Sequence, residues 1–200
     1  MENKSAFLDC FKDSIYVISD SVETLIKAID DGATIVQLRD KEGSLNLIEA
    51  KALEIIQYKE QKNFIFILND YPDLAVEVKA DGVHIGQDYS TALTREIIGP
   101  DMLLGKSTQN IEQGLEAENE GADYISVGPV YATPTKPGRP AVGIEYVKEA
   151  AQQISIPFVA IGGIDLGNID EILKAGAKTI GVVRAVGDMK ALLEKVKANK

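Results

Sequence analysis

The sequence predicts an α/β protein that folds as a single (β/α)8 TIM barrel over residues 1–200. Short runs rich in β-branched residues alternate with amphipathic segments, in which apolar residues recur every three or four positions. Eight strand–helix pairs recur at intervals of about 20 to 25 residues, as expected for a closed barrel of parallel strands. An open doubly wound sheet is the alternative, but no G-x-G-x-x-G motif follows the first strand.

The strand predictions follow the chain in order, and most end near polar or glycine residues. They cover residues 15–19, 34–40, 64–70, 82–87, 102–107, 124–130, 158–163 and 179–185. Two of the intervening helices have clear ends, because Asn110 and Asn168 stand at N-cap positions while Gly121 and Gly176 stand at the C-terminal ends. No linker or low-complexity tract interrupts the alternation, so we expect one domain.

The bulk composition narrows the class of partner. The chain has 45% hydrophobic and 26% charged residues and a formal net charge of −10, which argues against a nucleic-acid or anionic-membrane surface. The N-terminus lacks the apolar core of a signal peptide, and no apolar run approaches the roughly 20 residues of a membrane helix. We therefore expect a cytoplasmic protein with small-molecule partners. The surface helices leave a homo-oligomer open.

The cysteine and histidine counts exclude several chemistries. A single cysteine, Cys10, excludes an internal disulfide and a thiolate metal cluster. A single histidine, His84, excludes a His-rich zinc site. Because His84 lies inside a short predicted strand, we interpret it as a hydrogen-bonded structural residue rather than a catalytic one.

The predicted strands end in polar and charged side chains, at the end of the barrel where barrel enzymes work. Gln37, Arg39 and Lys41 stand two residues apart after an apolar strand start, so a continuing strand would project them from one face. Buried cations must be solvated or paired. Their convergence with Lys136 and Arg184 at the same rim favours an anionic ligand.

Two further segments favour phosphate binding. The I-G-G-I stretch, residues 161–164, precedes a helix that starts near Asn168, and such a turn lets the backbone approach an oxyanion closely. The T-P-T-K stretch, residues 133–136, holds two hydroxyls and one ammonium group in a loop stiffened by prolines. Asp70 and Asp88 are the acids of the rim, and a bridging Mg²⁺ ion is the simplest explanation for carboxylates beside phosphate-binding cations. The rim thus predicts two anionic groups, one near strands two to four and another near strands seven and eight.

Seven motifs in register closely resemble the thiamine-phosphate synthase family over nearly the whole chain. They read Q-L-R-D-K, N-D, A-D-G-V-H-I-G-Q-D, G-K-S-T-Q-N, V-G-P-V-Y-A-T-P-T-K, A-I-G-G-I and V-V-R-A. The resemblance implies a (β/α)8 transferase of thiamine biosynthesis that joins a pyrimidine-methyl diphosphate to a thiazole phosphate. Thiamine monophosphate and pyrophosphate would be the products, and Mg²⁺ the cofactor. The implied reaction is a dissociative substitution, in which pyrophosphate leaves, a pyrimidine carbocation forms and the thiazole nitrogen captures it.

The resemblance also implies roles for individual positions. It gives catalytic roles to Arg39, Lys41, Ser107 and Lys136, and it makes Asp70 the Mg²⁺ ligand. The residues implied to hold the pyrimidine diphosphate are Gln37, Arg39, Lys41, Asn69, Ser107 and Lys136. Those implied to hold the thiazole phosphate are Thr133 and Thr135, with the backbone at Gly163, Val183 and Arg184. The neighbouring Leu38, Asp40 and Pro134 complete the implied substrate-binding set.

Two positions depart from the family pattern. Members usually have a second Mg²⁺ ligand, an aspartate, where this chain has Tyr89, and the acid here stands one place earlier at Asp88. A neutral phenol is a poor Mg²⁺ ligand, so either Asp88 reaches the metal, or water completes its shell, or metal binding is weaker. Arg184 stands where many members have serine, and it adds a bidentate phosphate donor.

Three alternatives remain open at this point. A thiazole tautomerase resembles the synthase but has a histidine after strand six, where this chain reads G-P-V-Y. A ligand-binding regulator that keeps the pocket but not the metal is supported by Tyr89 alone. The third alternative is another barrel isomerase that binds a phosphate, although it would not need diphosphate-binding residues on strand two.

Overall fold

The computed structural model describes residues 7–133 and 140–199, which contain a closed barrel of eight parallel strands. The strands are β1 Ser14–Ser19, β2 Ile35–Leu38, β3 Ile65–Asn69, β4 Gly82–Ile85, β5 Leu103–Thr108, β6 Tyr124–Val127, β7 Phe158–Ile161 and β8 Thr179–Val182. Each strand pairs with the next along the chain, and β8 pairs in parallel with β1. The predicted (β/α)8 barrel is therefore confirmed, and the open sheet is excluded.

A helix follows each strand and packs on the outside of the barrel. The helices are α1 Val22–Asp30, α2 Leu45–Tyr58, α3 Pro72–Glu77, α4 Thr91–Ile98, α5 Ile111–Asn119, α6 Gly143–Gln153, α7 Ile169–Lys174 and α8 Met189–Ala198, with a 3-10 helix at Ala185–Asp188. The predicted cap of α5 is confirmed, since the side chain of Asn110 accepts a hydrogen bond from the backbone N–H of Gln113 at 2.9 Å. None of the helices in the described part of the chain is both long and apolar enough to cross a membrane.

Six strands end one to three residues earlier than the sequence predicts. In all of these except β8, which Val183 follows, the chain leaves the ladder where a glycine or polar residue begins the loop, as at Gly86 after β4 and Gly128 after β6. The predicted strand ends therefore lie in the loops at the C-terminal end of the barrel. Those loops carry most of the predicted site residues.

Two apolar cores result from the alternation of side chains along each strand. In β1, Ile15 and Val17 point outward into the large cluster beneath the helices, while Tyr16 and Ile18 point into the barrel. The interior cluster also contains Phe11, which precedes β1 and packs against Tyr16 with a ring-centroid distance of 6.3 Å. The segment before β1 thus closes the N-terminal end of the barrel and leaves the C-terminal end for a ligand.

Candidate active site

A cavity of about 540 Å³ opens at the C-terminal end of the barrel. Its walls come from all eight strands or from the loops that follow them. Eight of the predicted substrate-binding residues line it: Gln37, Arg39, Asn69, Ser107, Thr133, Gly163, Val183 and Arg184. The predicted Pro134, Thr135 and Lys136 lie outside the described residues.

The three polar residues of the second strand take different positions. Gln37 is buried inside the barrel, and its Nε2 donates a hydrogen bond to Tyr16 Oη at 2.8 Å. Arg39 follows the strand and lies half-buried in the cavity wall. Lys41 lies beyond the strand end, and its Nζ is 2.9 Å from Asp70 Oδ2. The same-face prediction therefore holds for Gln37 and Arg39, while a loop carries Lys41 across to β3.

Leu38 and Asp40 do not reach the cavity. The side chain of Leu38 packs in the outer core, because alternation along β2 points it away from the face of Gln37. The Asp40 carboxylate accepts hydrogen bonds from Lys51 Nζ at 2.6 Å and from Gly43 N at 2.7 Å. The bond from Lys51 holds the pKa of Asp40 below its usual range. Both side chains stabilise the fold, and the role of Leu38 and Asp40 in substrate binding stays a prediction.

Asp70 is held in place by a strained turn and three donors. Asp70 and Tyr71 both have left-handed backbone conformations, with φ of 57° and 52°, which costs non-glycine residues about 1 to 2 kcal/mol each. The buried carboxylate accepts hydrogen bonds from Lys41 Nζ at 2.9 Å and from Asn69 Nδ2 at 2.7 Å. Its second oxygen accepts one from Gly86 N at 3.3 Å. These contacts fix the predicted metal ligand at the junction of β3 and β4.

The loop after β4 folds Asp88 back over Gly86. A Cβ atom at Gly86 would collide with Asp88 Oδ1, so the glycine makes room for this carboxylate. Lys106 Nζ donates to the carbonyl of Gly86 at 2.9 Å and also to the carbonyl of Tyr89, which fixes the loop. Burial raises the pKa of the Tyr89 phenol, and the charges of Asp70 and Asp88 raise it further. Both carboxylates therefore lie within electrostatic reach of one neutral phenol.

The β7 end of the cavity is built from backbone. Gly162 and Gly163 have φ of +108° and +66°, a conformation that favours glycine. The loop after β6 packs directly on this turn, since Tyr131 N donates to the carbonyl of Gly162 at 2.9 Å. A Cβ at Gly163 would lie 2.8 Å from Tyr131 Cβ. The glycines are therefore required both by the turn and by the close approach of the neighbouring loop.

The start of α7 does not build the predicted anion site. Residues 161–165 line the cavity, but the side chain of Asn168 turns back, donating to the carbonyl of Gly163 at 2.8 Å and accepting from Asp165 N at 2.9 Å. The first turn of this six-residue helix also carries Asp170 and Glu171, whose charges disfavour an anion. The glycine turn reaches the cavity and the helix N-terminus does not, which corrects that expectation.

Sequence analysis missed two tyrosines inside the barrel. Tyr16 and Tyr124 are fully buried, and their hydroxyl oxygens lie 2.9 Å apart. Tyr124 Oη is also 3.1 Å from Nδ1 of His84, so the interpretation of His84 as a hydrogen-bonded interior residue agrees with the structure. The available signal was Gly105, because a glycine inside a strand marks a close approach. A Cβ there would collide with Tyr124 and His84.

Comparison with known proteins agrees with this geometry. The family model described as thiamine monophosphate synthase matches residues 12–186. A thiamine-phosphate synthase from Thermus thermophilus is 46% identical over 164 residues, covering 81% of this chain and 79% of the relative. One from Synechocystis sp. is 43% identical over 178 residues, covering 86% of this chain and 52% of the relative. The chain thus spans about half the length of the cyanobacterial relatives it matches.

A solved structure is similar in both fold and sequence. The thiamine phosphate pyrophosphorylase from Pyrococcus furiosus superposes with a TM-score of 0.83 at 31% identity, covering 94% of this chain and 98% of that one. The family match covers all eight strands of the barrel and the loops after them that line the cavity. On these grounds the chain belongs to the thiamine monophosphate synthase family.

Proposed function

We propose that the chain is a thiamine-phosphate synthase. It would join 4-amino-2-methyl-5-(diphosphooxymethyl)pyrimidine to 4-methyl-5-(2-phosphoethyl)thiazole and release pyrophosphate. The observation that carries the proposal is the set of eight predicted substrate-binding residues, which lie in or after six different strands and line one cavity. The family match supports the same reaction.

The two anionic substrates would occupy different parts of the cavity. Gln37, Arg39, Asn69 and Ser107, from β2, β3 and β5, would hold the pyrimidine diphosphate. The glycine turn after β7, with Val183 and Arg184 after β8, would hold the thiazole phosphate. This division agrees with the two anionic groups expected from the sequence, and it keeps both reacting rings inside one barrel end.

The chain's contribution to the reaction would be positioning and charge stabilisation. Breaking the bond between the pyrimidine methylene and the diphosphate moves negative charge onto pyrophosphate. The Arg39 guanidinium in the cavity wall and the Lys41 ammonium group, which pairs with Asp70, would neutralise that charge. The ring of β-strands would hold the thiazole nitrogen close to the methylene carbon, and such alignment supplies much of the rate gain in group transfer.

The residues present fit a Mg²⁺ site. Asp70 and Asp88 both approach Gly86, and the missing Cβ of that glycine is what leaves room for Asp88. Within residues 7–133 and 140–199 no three His, Cys, Asp or Glu side chains form a metal-binding group. Two carboxylates suffice, because Mg²⁺ is commonly held by one or two of them together with substrate phosphates. When bound, the ion would neutralise diphosphate charge, and Asp70 and Asp88 would hold it.

Metal binding tests the role of Asp88. We expect Asp88→Asn to weaken Mg²⁺ binding in the presence of pyrophosphate about tenfold, measured by calorimetry, because one of two carboxylates is lost. Asp101→Asn is the control, since this exposed residue precedes β5 at the opposite end of the barrel. Unchanged Mg²⁺ affinity in Asp88→Asn would show that water, rather than Asp88, completes the shell.

The direct test of the function is product formation. The purified chain is incubated with both phosphorylated heterocycles across a Mg²⁺ titration, and thiamine monophosphate is quantified by chromatography. We expect metal-dependent product and an equal amount of pyrophosphate. A folded chain that forms no product at any Mg²⁺ concentration would contradict the proposal.

A ligand-binding regulator is the second candidate, and Tyr89 is the observation that favours it. Its pKa is raised, so this phenol stays neutral where the family resemblance implies a carboxylate. A chain that binds the thiazole phosphate without forming product would support this function. If Tyr89→Asp then restored turnover, the loss of the metal ligand would be the cause.

A further inference from the structure

Five side chains form a continuous hydrogen-bonded relay across the barrel interior. Gln37 Nε2 lies 2.8 Å from Tyr16 Oη, which lies 2.9 Å from Tyr124 Oη. Tyr124 Oη lies 3.1 Å from His84 Nδ1, and His84 Nε2 lies 3.0 Å from Ser107 Oγ, closer than its second neighbour, Ser126 Oγ, at 3.5 Å. The relay therefore joins β2 to β5 across the floor of the cavity, and all of its residues except Tyr124 line that cavity.

Once the Gln37 amide is oriented, the hydrogen bonds of the relay can run in only one direction. Tyr16 Oη accepts from Gln37 Nε2, and its remaining partner in the described part of the chain is Tyr124 Oη. A fully buried hydroxyl hydrogen needs an acceptor, so Tyr16 donates to Tyr124. Tyr124 must then donate to His84 Nδ1, which leaves the His84 proton on Nε2 as the donor to Ser107 Oγ.

Burial and packing hold the relay in this form. Desolvation raises the pKa of Tyr16 and of Tyr124 well above the ordinary value, so both hydroxyls keep their protons. Gly105 leaves the space that the Tyr124 ring and the His84 imidazole occupy, and its φ is not one that requires glycine. A glycine is therefore needed at this position of β5 because the two rings fill the space of a side chain.

The two ends of the relay consequently present opposite hydrogen-bonding groups to the cavity. The Gln37 amide uses its N–H on Tyr16, so its carbonyl oxygen is left as an acceptor. Ser107 accepts from His84, so its own hydroxyl hydrogen is left to donate. Without the relay, the amide could rotate and the hydroxyl could reverse, and each end could present either group.

We infer that Tyr16, Tyr124 and His84 are positioning residues, which lock Gln37 as an acceptor and Ser107 as a donor toward the pyrimidine substrate. This inference rests on the proposed function for the identity of that substrate. An amino group on the pyrimidine can donate to the Gln37 carbonyl, whereas an oxo group in its place would meet it with lone pairs. The relay therefore selects the aminopyrimidine over its oxo analogue by about 10- to 100-fold.

The single histidine allows the relay to be read without any substrate. Nitrogen-15 NMR of histidine-labelled protein contains the signals of one imidazole, because His84 is the only histidine in the sequence. We expect a neutral ring with the proton on Nε2 and a hydrogen-bond acceptor at Nδ1. A proton on Nδ1 would overturn the inference, because the relay would then run in the opposite direction. This readout stands even if the proposed reaction fails.

Substitutions separate positioning from a merely structural role. Tyr124→Phe removes the donor to Nδ1, so we expect a changed His84 tautomer ratio and a loss of the preference for the amino over the oxo substrate. The control Tyr146→Phe removes a buried hydroxyl that bonds to Thr108 at 2.6 Å outside the relay, and it should change neither quantity. A folded Tyr124→Phe protein with unchanged NMR signals and unchanged preference would overturn the inference.

A second variant covers the case in which Tyr124→Phe does not fold. Tyr16→Phe interrupts the relay between Gln37 and Tyr124 but leaves the contact of Tyr124 with His84. We expect the amino-over-oxo preference to fall about 10-fold, chiefly through kcat/KM for the amino substrate, while the His84 proton stays on Nε2. If the preference stays at the wild-type value, Tyr16 does not orient Gln37 and the inference fails.

Discussion

Two parts of the cavity rim are built in different ways. The β2–β4 rim (Arg39, Lys41, Asn69 and Asp70) is built from side chains, and two of them donate to Asp70, as in the Lys41–Asp70 pair at 2.9 Å. The β7–β8 rim (Gly162, Gly163, Val183 and Arg184) uses a glycine turn and adds a single arginine. The first rim is therefore sensitive to changes of charge, and the second to changes of size.

The two rims also differ in which residues carry backbone strain. At the β2–β4 rim, Asp70 and Tyr71 hold positive φ without being glycine, so their surroundings must maintain the turn. At the β7–β8 rim, Gly162 and Gly163 take such angles at no steric cost. A strained turn at a carboxylate indicates that the position of Asp70 matters more than local stability.

The largest effect should come from removing charge at the β2–β4 rim. We expect Arg39→Ala to lower kcat about 100- to 1000-fold, because the departing pyrophosphate loses a positioned cation. The measurement is steady-state formation of thiamine monophosphate, with circular dichroism to show that the barrel is intact. Lys148→Ala is the control, since this exposed lysine pairs with Glu145 on α6. Near-normal turnover in folded Arg39→Ala would contradict the role of Arg39.

Adding one methyl group at the β7–β8 rim should produce the next largest effect. We expect Gly163→Ala to raise the KM for the thiazole phosphate about 10- to 100-fold, because the Cβ displaces the turn that lines the cavity. Gly99→Ala is a matched control: its φ of +71° is close to the +66° of Gly163, but no atom lies within 4 Å of its Cβ. The positive φ should cost each variant about 1 to 3 kcal/mol of stability, and the Cβ clash should add to that cost in Gly163→Ala. An equal KM in the two would show that the turn does not bind the thiazole phosphate.

Removing the second cation of the β2–β4 rim should have a smaller effect. We expect Lys41→Gln to lower turnover about tenfold. Its free energy of unfolding should fall by less than about 1 kcal/mol, because the side chain of Lys41 is 53% exposed and its ion pair with Asp70 is screened by solvent. Activity assays and denaturant unfolding measure the two effects separately. A clear fall in the free energy of unfolding with unchanged turnover would make Lys41 a structural residue.

The smallest effect concerns Asp40, the β2-end carboxylate that stabilises a loop instead of facing the cavity. Its pKa is lowered in the folded state, chiefly by Lys51, so its contribution to stability is present above the unfolded value of 3.8. That contribution is lost as the pH falls through the folded value. We therefore expect Asp40→Asn to lower the melting temperature near neutral pH, and its difference from the wild type to shrink as the pH falls below 3.8. A difference that persists in acid would contradict this origin.

Local patterns in the sequence predict most of the barrel and part of the site. Strand periodicity suffices to place Gln37 and Arg39 on one face, and motif order suffices to bring residues from six strands to one cavity. Periodicity does not describe the path of a loop after its strand ends. The ion pairs Lys41–Asp70 and Lys51–Asp40 both depend on such loop paths. Residues 134–139, including the predicted Lys136, lie outside the described residues.

The relay shows a second limit of reading the sequence. Tyr16 and Tyr124 are 108 positions apart, and each stands in a run that otherwise indicates an apolar interior strand. Their contact appears only when the barrel closes, because neighbouring strands bring their inward faces together. Gly105 is the only local sign of close packing at this contact that we identified in the sequence, and a lone glycine in a strand does not identify which residue approaches it.

We propose that the two rims of one cavity bind two different anions, and ligand binding to two matched variants distinguishes the rims. Arg39 and Arg184 follow β2 and β8, the strands on either side of β1, and both line the cavity. Calorimetry would measure pyrophosphate and the thiazole phosphate binding to Arg39→Ala and to Arg184→Ala. We expect Arg39→Ala to lose affinity for pyrophosphate alone and Arg184→Ala to lose affinity for the thiazole phosphate alone. Equal losses of both ligands in both variants would contradict the claim.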